Sequence, residues 1–119
     1  MKKLVSALFA FGSLAALACS GGKEELPEVD CETVTVPTYA EVTGLNKCTT
    51  CHSSTLTTPA DRNDAPHGYN FDTYDGAVEH ATKMVEEVYG GDMPPAGEPD
   101  MTEAEKDQLY AWALCGTPE

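Results

Sequence analysis

Cys48-Thr49-Thr50-Cys51-His52 sets a thiol on either side of a threonine pair and an imidazole directly after the second thiol. Those residue types at that spacing suit one covalent task. Each thiol can add across a vinyl double bond of a porphyrin, its hydrogen going to the other carbon, and the adjacent imidazole can then reach the iron from one face. The Cys-x-x-Cys-His pattern therefore reads as a site of covalent haem attachment through Cys48 and Cys51, with His52 as the proximal axial ligand.

Two other chemistries use a Cys-x-x-Cys pair. A redox dithiol belongs with a strand and helix pattern around it and a disulfide-exchange setting, and the flanking sequence has neither. A structural zinc site needs a second pair of Cys or His at ligand spacing, which His67, His80 and the remaining cysteines do not supply.

The sixth position on the iron decides what such a site does. A thioether raises the reduction potential and fills the site, whereas an open position favours gas binding or peroxide chemistry. Met93 is the leading candidate, because Gly90-Gly91-Asp92-Met93-Pro94-Pro95 combines glycines that let the chain turn with prolines that stiffen it. Met84 falls at the edge of an apolar helical stripe and Met101 just before a helix cap, and both read as packing. His67, in a loop, and His80, on a helix flank, read as surface histidines that keep a bis-imidazole site open as an alternative.

The chain has 119 residues, enough for one domain after a leader. Lys2 and Lys3 precede an uncharged, largely apolar run from Leu4 to Ala18, the form of a signal peptide over 1–18. Ala15-Ala16-Leu17-Ala18-Cys19 resembles the lipobox of bacterial lipoproteins, in which the cysteine becomes the acylated first residue. An ordinary signal peptidase would cut at the same bond and leave Cys19 bare. Residues 19–36 then read as an acidic, lipid-anchored tether, and 37–119 as the folded domain. Of the five cysteines, Cys19, Cys48 and Cys51 thus have fates. Cys31 and Cys115 remain, either bridged or as two buried thiols.

Lys2 and Lys3 leave with the leader, so five basic residues face 20 acidic ones in the mature chain, a net charge of −15 with histidine neutral. Nucleic acid is excluded as a partner on that balance. Most of the charge serves solubility, and a protein with a cationic docking patch would be steered toward this surface.

The elements that must position these residues follow from local signals. Thr33-Val34-Thr35-Val36 predicts a short extended segment before Pro37. Thr38-Tyr39-Ala40-Glu41 has the form of a capping box, which predicts a first helix from there to the Cys-x-x-Cys-His motif, with Tyr39, Val42 and Leu45 on one side. Ser53 to Tyr69 is rich in Ser, Thr, Pro, Asp and Gly and predicts an irregular loop that wraps the cofactor's edge. Tyr74, Ala77, Val78, Ala81, Val85 and Val88 keep a helical period and predict a second helix from about Asp72 to Tyr89, ended by Gly90 and Gly91. Thr102-Glu103-Ala104-Glu105 is another capping box and opens a third helix to about Cys115, with Leu109, Trp112 and Ala113 on one face.

Cys48-x-x-Cys51-His52 after a short helix, Met93-Pro94-Pro95, and Leu109-x-x-Trp112 before Gly116 together resemble the small monohaem, class I-like cytochromes c of exported bacterial proteins, over residues 38–116. The resemblance implies an all-α, cytochrome c-like fold of about three helices with long loops around one covalent haem c. It implies Met93 as distal ligand and Trp112 packed on Val42 and Leu45. First and last helices pack together in that family, which brings a Cys31–Cys115 disulfide within reach. It further implies a carrier, not an enzyme, passing single electrons between redox partner proteins on the periplasmic side of a bacterial membrane, with no small-molecule substrate. A haem sensor or enzyme with an exchangeable distal site, and a docked haem subunit of a larger redox complex, are the alternative functions.

Overall fold

A computed structural model describes residues 25–119, so the signal segment over 1–18 and Cys19 lie outside the described residues. Among the described residues the chain is all-α, with a 3-10 turn at Tyr39–Glu41 and four α-helices. These are α1 (Leu45–Cys48), α2 (Tyr74–Glu79), α3 (Ala81–Gly90) and α4 (Glu103–Leu114). No helix among them is long and apolar enough to cross a membrane.

The expected first helix is two short pieces. Glu41 accepts the Thr38 N–H at 2.8 Å, which opens the 3-10 turn. Thr43 then gives its N–H and its hydroxyl to Gln108 Oε1 of α4, at 3.3 and 3.0 Å. A backbone donor spent on another element cannot extend the ladder, so the turn stops and α1 starts afresh at Leu45. Gly44 lies between them, where a Cβ would collide with the end of Met101.

The expected second helix breaks at His80, whose φ of −114° and ψ of 13° leave the helical region. The imidazole instead stacks on Tyr69 with ring centroids 4.0 Å apart, and its Nε2 bonds Gly68 O at 3.0 Å. One residue is lost to the ladder, so the apolar stripe continues across the break: Ala77, Ala81, Met84, Val85 and Val88 are all buried. The Thr102 box forms as expected, with Glu105 N–H donating to Thr102 Oγ1 at 3.2 Å and Thr102 N–H to Glu105 Oε2 at 2.7 Å. Residues 33–36 form no strand; a turn over 31–33, with Thr33 and Val34 N–H both donating to Asp30 O, leads into irregular chain at 35–36.

α3 packs on α4, and Trp112, fully buried, joins Val42, Leu45 and Phe71 in one core. The C-terminal tail closes this core from outside. Pro118 O accepts the Trp112 indole N–H at 2.9 Å and the Tyr39 N–H at 2.8 Å. Cys31 and Cys115 are joined in a disulfide, with Cα atoms 5.5 Å apart.

Candidate cofactor site

Cys48 ends α1, and the motif continues as a single tight turn. His52 N–H donates to Cys48 O at 2.9 Å, a helix-type bond that brings the first and last residues of the motif to the same side. The two threonines between the cysteines give their hydroxyls to carbonyls left open at the end of α1, Thr49 to Asn46 O at 3.1 Å and Thr50 to Lys47 O at 2.7 Å. Cys48 and Cys51 are both half-buried free thiols. Burial pushes the Cys48 thiol up to about 11.

On the far side, α3 ends with Gly91 at φ +84°, a left-handed cap that suits glycine. Asp92 and Met93 N–H then donate to Glu87 O at 2.9 and 3.0 Å. That fastening fixes the Met93 backbone one turn beyond the helix.

Cys48, Cys51, His52 and Met93 line one cavity of about 350 Å³. Its walls are largely apolar, with Phe71, Val88, Pro94 and Pro95 among them, and Lys47, Lys83 and Glu87 also border it. Such a cavity is of the size that takes a small cofactor. Met84 and Met101 border it too, but both are buried in the core, whereas Met93 is 36 % exposed and packs in no core cluster. His67 and His80 do not line it.

The His52 ring is held from behind. Its Nδ1 lies 3.2 Å from Tyr69 O, and because a carbonyl only accepts, Nδ1 carries the proton and Nε2 keeps a lone pair. Phe71 stacks on the same ring with centroids 4.6 Å apart at 23°. Burial disfavours the charged imidazole and lowers its pKa, and the nearby Arg62 charge adds to this. A neutral imidazole with one free nitrogen is the form that ligates a metal. Two thiols, a tautomer-fixed imidazole and a thioether around one apolar cavity fit a covalently held haem. Among the described residues no three His, Cys, Asp or Glu side chains gather as a cage for a bare ion would require.

Tyr69, Phe71 and Arg62 escape a reading by motif. The aromatic pair at alternate positions just ahead of the second helix was the only signal for the first two. Arg62 stands alone in a polar loop. No family model, curated protein or solved structure matches the chain.

Proposed function

We propose that the chain is a small monohaem cytochrome c with a cytochrome c-like fold, carrying single electrons between redox proteins outside the cytoplasm. One observation carries the reading: four side chains from two distant segments, Cys48, Cys51, His52 and Met93, line the same apolar cavity. Cys48 and Cys51 would hold the haem by thioethers, His52 would offer Nε2 and Met93 its sulfur. When bound, the haem supplies a one-electron Fe(III)/Fe(II) couple. The Tyr69 carbonyl keeps the His52 ring oriented, and the apolar walls suit the porphyrin's faces. With His52 and Met93 both retained as ligands, the proposed role would call for no catalytic residue and no substrate pocket.

The surface supports an encounter steered by charge. Every cation among the described residues is engaged: Lys47 pairs with Glu105 at 2.7 Å, Lys83 with Glu86 and Glu87, and Lys106 with Glu103, while Arg62 is buried. What faces outward is the acidic excess, which suits partners with a cationic patch and brief contacts. A lipid on Cys19 would hold the domain at the periplasmic face of a membrane.

The test is the far-red absorption band of a thioether on ferric iron. The oxidised wild type should show it and Met93→Ala should lose it. A wild type without the band, whose reduced form binds carbon monoxide rapidly, would point instead to a sensor or enzyme with an open distal site.

A further inference from the structure

Arg62 is the only arginine of the chain and is 1 % exposed. A guanidinium taken out of water needs a counter-ion or a full set of hydrogen bonds. Here it has only the second. Nε donates to Ala65 O at 3.0 Å; Nη1 to Ser53 O at 2.5 Å, Leu56 O at 3.3 Å and Asn70 Oδ1 at 3.0 Å; and Nη2 to Pro66 O at 2.8 Å and Tyr69 O at 3.0 Å. All of these acceptors are neutral, so among the described residues the guanidinium has no ion-pair partner.

The last contact joins Arg62 to the site. Tyr69 O is also the atom that accepts the His52 Nδ1–H, at 3.2 Å. One carbonyl is therefore shared between a buried cation and the imidazole. We propose that Arg62 is a positioning residue for His52, which fixes the ring through the Tyr69 carbonyl and raises the reduction potential of the haem ligated there. The inference rests on the cytochrome reading above.

Two effects act in the same direction. A carbonyl drawn toward a cation is a poorer acceptor for the Nδ1–H, which leaves the imidazole less basic and less able to stabilise ferric iron. The buried charge itself also disfavours the more positive oxidation state, in surroundings where screening by water is weak. The plainer alternative is that Arg62 only knits together the loop after His52. That role would affect melting and leave the potential alone.

The test compares wild type, Arg62→Met and Arg62→Lys, each produced with the haem-attachment machinery and titrated potentiometrically. Arg62→Met should lower the ratio of reduced to oxidised protein at a fixed poise about tenfold, which for a one-electron couple is a fall of about 59 mV. Arg62→Lys keeps the charge but loses the paired grip on Pro66 O and Tyr69 O, and should fall between the two. If Arg62→Met yields no haem protein, the lysine variant decides alone: a potential below wild type supports the proposal and an unchanged one overturns it. Wild-type potentials in variants that carry haem overturn it as well. A wild type that takes up no haem overturns the reading underneath, and absorbance separates that failure from the other before any titration.

Discussion

Asp72 fastens the chain directly after His52. Its carboxylate accepts from Ser54 N at 2.8 Å, Ser54 Oγ at 2.6 Å and Ser53 Oγ at 3.1 Å. Burial pushes this carboxyl up, but the hydrogen bonds outweigh it and hold it below its ordinary value of 3.8. A depressed carboxylate means that the unfolded chain binds more protons in that range. Its contribution is therefore whole above the ordinary value and is lost as pH falls through the lowered one. Asp72→Asn should flatten the acid limb of stability against pH, measured as urea midpoints; an unchanged limb contradicts the assignment. The Cys48 thiol, raised to about 11 by burial, is protonated at neutral pH. In the haem-free chain it should alkylate far more slowly at pH 8 than in the same chain in denaturant, read by mass spectrometry, and equal rates would show that it is not buried.

At the scale of elements, some of the architecture was legible in the sequence for a plain reason. The Thr102 box, the cap after Gly90 and the apolar stripe of the second helix are local patterns, and local patterns survive folding when nothing distant competes. The breaks were illegible because their causes are distant. Thr43 gives its donors to Gln108, and His80 stacks on Tyr69, neither of which a helical period reports. The stripe even runs on through the break, since Ala77 and Ala81 remain on one face. Arg62 had no period, motif or partner carboxylate to announce it, and its acceptors are mostly backbone carbonyls. Gly76 marks a close approach of the loop's end to α2, because a Cβ there would collide with Asn70 O. The obstacle is backbone and cannot swing away. Gly76→Ala should cost about 1–3 kcal/mol, measured by denaturant midpoint, and a neutral result would mean that the loop is not seated against the helix.

Over the whole molecule, covalent closure and charge set the behaviour. The Cys31–Cys115 disulfide ties the start of the described chain to the end of α4 across a sequence separation of 84. Its entropic effect on the unfolded state is roughly 4 kcal/mol, so a Cys31→Ser/Cys115→Ser variant should lose stability on that scale, with a visibly lower Tm. For the proposed carrier role, the acidic excess means that the rate of electron transfer with a cationic partner should fall as salt rises, since encounters between exposed charges are screened beyond about 8 Å at physiological ionic strength. Haem attachment at Cys48 and Cys51 is the claim on which the rest depends. Intact mass of the protein, expressed with the attachment machinery and denatured before measurement, tests it most directly. The wild-type chain should keep the mass of one haem in denaturant, and Cys48→Ala/Cys51→Ala should lose it. A wild type that carries no such increment would contradict that claim.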